Sequence, residues 1–265
     1  MDINNEYGVL EIQKQLLGLL KTFHAFCVEK DIKYSLDWGT LLGAVRHKGF
    51  IPWDDDLDVM MDRANYNKLK DCINGNVNLE FDVSSLRSFW IPRVRLANCE
   101  NCEVNFVYPP TIDILIMDNA PDGKLSRKLR LFLIMLLQGM MKVSYKRKRY
   151  KGKPLPLRMF AMLSYYAGKP FSHATKSRWY NELAQLSNGK ETREITSYYE
   201  EFSCLGKYYR KDLLQEEVTT TFEGIETFMV KNYHECLTIQ FGPTYMTPIK
   251  TGANHLERVM IRRAE

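Results

Sequence analysis

Tyr34-Ser35-Leu36-Asp37-Trp38-Gly39-Thr40-Leu41-Leu42-Gly43-Ala44-Val45-Arg46 and, beyond Gly49 and Pro52, Trp53-Asp54-Asp55-Asp56-Leu57-Asp58-Val59-Met60-Met61 decide how this chain is read. Ile32 to Leu36 predicts a short strand, Asp37 to Thr40 a turn, and Leu41 to Arg46 a short helix. Gly49 and Pro52 break that helix, and Leu57 to Met61 predicts a second strand. Four carboxylates therefore fall in five positions at the mouth of a strand. In extended chain, residues i and i+2 share a face at ~6.5–7 Å. Asp56 and Asp58 then point one way while Leu57 and Val59 enter the core.

Clustered carboxylates repel, and keeping them ionised in a partly buried site is costly without a counter-charge. A hard divalent cation supplies one: Mg²⁺, with Mn²⁺ as the alternative, takes oxygen ligands from one or two carboxylates and substrate phosphates. Asp113 sits in Thr111-Ile112-Asp113-Ile114-Leu115-Ile116-Met117, a strand apolar on both faces. If that strand lies beside 57–61, Asp56, Asp58 and Asp113 form a three-carboxylate platform for metal and catalysis. Two ions on it would activate an attacking oxygen and stabilise a leaving phosphate oxygen. Upstream, the Gly39-Thr40 turn opens a helix whose N–H groups attract phosphate, with the Thr40 hydroxyl as a further donor. An Asp-rich stretch is also the usual composition of a solvated turn. Trp53 and Pro52 beside it, the apolar strand after it and the Gly-Thr turn before it favour a site.

The rest of the chain frames this centre. It has 265 residues, 45% apolar and 12% aromatic, enough for a real core. Residues 9–29 place Leu10, Leu16, Leu17, Leu20, Phe23 and Cys27 at helical spacing. A helix is expected near 65–73, strands at 79–83, 91–96, 104–107 and 112–117, and helices over 124–143 and 158–186 with a break at Gly168 and Pro170. A strand or loop at 219–222 and a helix near 233–241 complete the tail. Six cysteines do not make a disulfide scaffold, and the Cys99-x-x-Cys102 pair lacks partners for zinc, so free thiols are expected. With no secretory signal visible after Met1, a reducing cytosolic location is expected.

Net charge is +5, but the segment 124–181 holds 15 Lys and Arg and no Asp or Glu. That leaves 22 basic against 32 acidic residues elsewhere. Within the basic segment Leu131 to Met141 is apolar and Lys146-Arg147-Lys148-Arg149 follows. That apolar run of 131–141 is too short to span a bilayer, and the basic segment 124–153 around it suits the inner face of an anionic membrane, or a buried helix with a solvated basic loop. No motif for reading bases or grooves is present, so no nucleic-acid partner is expected.

The unbroken run Gly39 to Asp58 closely resembles the signature of the LicD family of phosphocholine transferases, relatives of the fukutin-type sugar-phosphate transferases. Ile112-Asp113-Ile114 resembles that family's second acidic strand, although Leu115-Ile116-Met117-Asp118 stands where many relatives have Phe-Pro-Leu-Asp. Phe222-Glu223-Gly224 and Phe241-Gly242-Pro243-Thr244-Tyr245-Met246 resemble its C-terminal blocks. The resemblance implies an α+β, nucleotidyltransferase-like fold, a small mixed sheet flanked by helices with a basic helical insertion. Its expected parts are an N-terminal helix and catalytic core over 1–120, the insertion over 121–190 and a C-terminal part, 191–265, completing the core. It also implies transfer of phosphocholine from CDP-choline to a hydroxyl of a lipid-linked or oligosaccharide glycan, of lipopolysaccharide or teichoic acid type, with release of CMP. Another phospho-alcohol, a nucleotide cargo, or a non-catalytic membrane- or polyanion-binding role are the alternatives. On this reading Asp113 orients or deprotonates the acceptor. Arg46 clamps phosphate or instead pairs with Asp54 or Asp55. Choline needs aromatic faces, for which Trp38, Trp53, Trp90, Tyr108 and Tyr245 are candidates, with Glu223 as a carboxylate near the ammonium.

Overall fold

The computed structural model describes residues 9–82, 90–97, 110–142 and 154–248. The expected strand at 104–107, the Cys99 and Cys102 pair, Tyr108 and the basic run at 146–151 lie outside them. Within the described residues the chain is α+β, and it divides into two compact units. The first comprises 1–82, 93–116 and 212–265, the second 83–92 and 117–211.

The first unit begins with α1 (Leu10–Glu29), whose buried residues Ile12, Leu16, Leu19, Phe23 and Phe26 repeat every three or four positions along one face. Strand β1 (Ser35–Leu36) leads into α2 (Trp38–His47), and β2 (Leu57–Asp62) into α3 (Arg63–Ile73). Helix α2 starts three residues earlier than periodicity suggests because Asp37 caps it: its side chain accepts from the Trp38 N–H. Strands β3 (Leu79–Phe81), β4 (Arg93–Leu96) and β5 (Ile112–Asn119) follow, in the sheet order β1-β2-β5-β4-β3. Strand β5 is central and buried at seven of eight positions, as its continuous apolar run demands. Registers pair Leu36 with Val59 and Arg93 with Asp113.

The tail adds a hairpin of β8 (Glu217–Phe222) and β9 (Ile225–Val230), then α7 (Tyr233–Phe241). Its turn residues Glu223 and Gly224 both adopt positive φ, +49° and +77°, the handedness that matches strand twist in a two-residue loop. The hairpin is fastened to β1, where the Val230 N–H donates to Ser35 Oγ (2.9 Å), and to α1, where the rings of His24, Tyr34 and Phe228 meet edge-on or tilted.

The second unit consists of α4 (Lys124–Met141), α5 (Leu155–Gly168), α6 (His173–Gln185), β6 (Glu194–Ser197) and β7 (Tyr209–Arg210). Strand β6 pairs with the last three residues of β5 and with β7. Helix α4 packs on both α5 and α6. The α4–α5 contact is backbone-close: a Cβ on Gly139 would lie 2.1 Å from Ser164 Oγ, and one on Gly168 would lie 2.4 Å from the Met140 carbonyl oxygen. Lys176 is buried here and donates to the Met140 and Gly168 carbonyls, so an ammonium ties the C-terminal ends of α4 and α5.

Candidate active site

Four main-chain bonds position the acidic strand. The Asp37 N–H donates to the Asp58 carbonyl (3.0 Å), and the Asp58 N–H donates to Thr40 Oγ1 (2.9 Å). The Asp54 N–H donates to the Ile51 carbonyl (2.9 Å), and Gln13 Nε2 of α1 donates to the Asp54 carbonyl (2.8 Å). Thr40, expected as a phosphate donor, is buried and uses its oxygen to hold β2 against the start of α2. Gly39 has a packing reason: a Cβ there would stand 2.7 Å from Asp54 Oδ2, so the Asp54 carboxylate rests on the first turn of α2.

The carboxylates converge. Ligand oxygens of Asp54, Asp55 and Asp56 lie within 4.8 Å of one another. Strands β2 and β5 are neighbours in the sheet, which brings Asp113 to the same region. Burial pushes the Asp58 carboxyl well above the usual range, and repulsion from Asp56, Asp113, Asp37 and Asp54 pushes it further. Asp54 is raised in the same way, by burial and then by Asp56, which also shares a hydrogen bond with it. Asp37 accepts from Gln240 Nε2 (2.6 Å) and the Trp38 N–H, yet burial lifts its pKa to about 6. Five acids therefore share one field around Asp58.

Arg93 enters this group from β4. It grips Asp113 with two parallel bonds, Nε to Oδ1 at 2.7 Å and Nη2 to Oδ2 at 2.9 Å. Burial disfavours its charge, but the fields of Asp113, Asp82 and Asp58 outweigh that and raise its pKa. Asp113 thus stands in an ion pair as well as facing Asp58. The tightest trio of ligand oxygens among the described residues is Asp54, Asp55 and Asp56, while the expected trio of Asp56, Asp58 and Asp113 is linked through the field at Asp58.

The remaining candidates are distributed differently. Arg46 donates to the Tyr245 carbonyl (2.9 Å) and to His47 Nδ1 (3.4 Å), and among the described residues it pairs with neither Asp54 nor Asp55. Tyr245 is buried, its hydroxyl 2.9 Å from His234 Nδ1. Glu223 is a fastener: its N–H donates to the Lys48 carbonyl (2.8 Å) and its Oε1 accepts from the Phe50 N–H (3.1 Å). Trp38 and Trp53 are half-buried beside the acids, and Trp38 meets Phe241 edge-on at 5.6 Å. Trp90 belongs to the second unit, where its indole N–H donates to the Glu200 carbonyl. Cys27, Cys72 and Cys204 are free thiols, and Cys236 is buried.

The donor set suits a hard cation. All its atoms are carboxylate oxygens, and burial first and repulsion second raise the Asp54 and Asp58 carboxyls, so a divalent ion would supply the counter-charge this group lacks. Sequence reasoning missed Asp37, Gln240 and Arg93. Asp37 carries a signal in its N-cap position, whereas Arg93 and Gln240 depend on pairing and packing.

Comparison with known proteins agrees with this geometry. Residues 31–109, which hold Asp37, the four clustered acids and Arg93, match the LicD/FKTN/FKRP nucleotidyltransferase domain. The lipopolysaccharide cholinephosphotransferase LicD of Haemophilus influenzae is 27% identical over 249 residues, covering 90% of this chain and 91% of that protein. An uncharacterized protein of Rickettsia prowazekii is 54% identical over 44 residues, 17% of this chain. The acidic block thus lies inside the matched domain, and the similarity to the Haemophilus influenzae protein runs through most of the chain's length.

Proposed function

We propose that this protein is a phosphotransferase that moves phosphocholine from CDP-choline to a hydroxyl of a lipopolysaccharide-type glycan. The observation that carries the reading is the convergence of Asp54, Asp55 and Asp56 in one field with Asp58 and Asp113, within a chain similar along most of its length to a lipopolysaccharide cholinephosphotransferase. The acceptor oxygen forms a bond to the choline-bearing phosphorus. The bond from that phosphorus to the bridging oxygen breaks, CMP departs with the bridging oxygen, and the hydroxyl proton is released.

Asp54, Asp55 and Asp56, whose ligand oxygens converge, would hold Mg²⁺ or Mn²⁺ in the field of Asp58, and the ion when bound supplies positive charge against the donor's diphosphate. The residues of the chain do the positioning. Asp113, fixed by Arg93, keeps lone pairs to accept a hydrogen bond from the acceptor hydroxyl and orient it. The start of α2 turns the positive end of its dipole toward the phosphates. Trp38 and Trp53 offer ring faces to the quaternary ammonium, which cannot be hydrogen-bonded. Positioning and electrostatics supply most of the rate in such transfers.

The test is CMP release by the purified protein with CDP-choline, Mg²⁺ and lipopolysaccharide. Release that needs both metal and acceptor, and that drops at least about 10³-fold in Asp58→Asn, is expected. Release only with another CDP-alcohol would redirect the cargo. No release with any CDP-alcohol from protein shown to be folded would refute the enzymatic reading.

A further inference from the structure

We infer that the α4–α5 pair of the second unit is a docking face for an anionic lipid bilayer. Its apolar side chains enter the interface and its lysines meet the head groups. The observation is an inverted helix. Every exposed position of α5 between 155 and 167 is apolar or aromatic, and Leu155, Met159, Leu163 and Tyr166 recur along one stripe. Its buried positions are small instead: Ala161, Ser164 and Gly168. A helix of a water-exposed surface shows the opposite pattern, as α1 does in this chain, with Glu11, Lys14, Lys21 and Glu29 outward. Helix α4 extends the face with Leu125, Leu129 and Phe132 at the same spacing, and Phe132 meets Phe160 of α5 at 5.8 Å. Leu125 is 80% exposed and Leu155 63%. Apolar faces of this extent mark interaction sites.

Charge selects the occupant. Lys124 and Lys128 are exposed on α4 next to Leu125 and Leu129. Lys169 ends α5 with its ammonium 5.1 Å from the Tyr166 ring, an arrangement suited to the level of the head groups. Neither helix contains an acid, and none occurs anywhere in 124–181. A second copy of this chain would bring like charges together around the face, whereas an anionic bilayer complements them. No helix of the described residues is long and apolar enough to cross a membrane. At 1.5 Å per residue α5 is about 21 Å long, short of the ~30 Å hydrocarbon core, so it lies in the plane.

The experiment is co-sedimentation of the full chain with vesicles of phosphatidylcholine alone and of phosphatidylcholine with about one-third phosphatidylglycerol. Binding to the anionic vesicles is expected, with little to the neutral ones. In Met159→Asp/Leu163→Asp, checked by circular dichroism for retained helix, partitioning should fall at least about tenfold. Leu125→Gln, a milder change at an exposed position, should weaken it several-fold. Equal binding by wild type and the double variant would overturn the assignment of the apolar face, and equal binding to neutral vesicles would overturn the role of charge. A dimer abolished by the double variant, with no vesicle binding, would show that a second copy covers the face and would overturn the proposal. None of these readouts depends on transferase activity, so docking and the proposed chemistry fail separately.

Discussion

Replacing Asp37 by Asn should stabilise the metal-free protein at neutral pH, against the usual cost of mutating a helix cap. Asp37 is 2% exposed, and burial raises its folded pKa from 3.8 to about 6, with the Gln240 and Trp38 donors working in the opposite direction. A carboxyl whose folded pKa is raised binds its proton more tightly in the native state. Its presence then costs stability as pH rises from 3.8 toward 6, and the cost is constant above that. A shift of about 2 units at ~1.4 kcal/mol per unit gives about 3 kcal/mol. Asn keeps an oxygen for the Trp38 N–H and Gln240 Nε2 and remains a good N-cap, so the cap survives while the buried charge is removed. Urea unfolding in chelator across pH 4 to 8, with hydrogen exchange at the α2 amides as the local reporter, reads the difference directly. The variant should match wild type near pH 4, gain steadily to about pH 6 and hold a constant advantage beyond. A pH-independent difference, or a variant less stable than wild type at pH 7.5, would refute the reasoning that desolvation outweighs the cap bonds. Asp37→Ala is the control: it leaves both donors without their acceptor and should cost ~1–3 kcal/mol of that gain.

Three further substitutions probe the close contacts of the fold. Gly39→Ala sets a methyl 2.7 Å from Asp54 Oδ2 and must displace that carboxylate; CMP release should fall at least about tenfold while the melting temperature changes little, as read by turnover beside calorimetry. Glu223→Ala removes the acceptor of the Phe50 N–H and should cost about 1–2 kcal/mol in urea unfolding, whereas Glu223→Gln retains an oxygen there and should stay near wild type. Gly168→Ala forces a methyl against the Met140 main chain, which cannot rotate away as a side chain would, so a loss of about 1–3 kcal/mol is expected with exchange protection falling first in α4 and α5.

Much of the fold was legible because hydrophobic period is a local property. Helix α1 and strand β5 are read from residues within one element, and their burial follows the pattern. Strand β9 lies outside the expected elements: its residues pair with β8 across the Glu223-Gly224 turn, and that hairpin pairing, not the period of 225–230 alone, defines it. Strand β6 offers only Ile195 as a large apolar residue, and it is defined by register with the end of β5, which no short window contains. The site divides along the same line. Asp56 and Asp58 declare themselves by their spacing across the start of β2, and the adjacency of β2 and β5 brings in Asp113. Arg93 becomes visible only when β4 sets it opposite Asp113, and Gln240 lies 203 positions from the carboxylate it holds. The α4–α5 face misleads a reading by composition alone, since apolar residues at helical spacing suggest a core and here the large ones point outward.

A cluster of repelling carboxylates stands only if something else holds the chain in place, and the manner of holding bears on what the cluster is for. Asp54 and Asp58 are fixed by their main-chain groups: Gln13 and Ile51 on the first, Asp37 and Thr40 on the second. Two acids are held by their side chains, Asp37 by Gln240 and the Trp38 N–H, and Asp113 by Arg93. A cluster selected for stability alone would place cations on Asp54 and Asp58 too, since both are buried and Asp56 pushes both carboxyls upward. Instead the fold grips the backbone and leaves charge concentrated on the oxygens. That cost is of the kind proteins accept at functional sites and offset elsewhere. The offset here is identifiable: a buried sheet, a capped helix and a hairpin fastened to Lys48 and Phe50 hold the backbone, so the repulsion is confined to the carboxylate oxygens themselves.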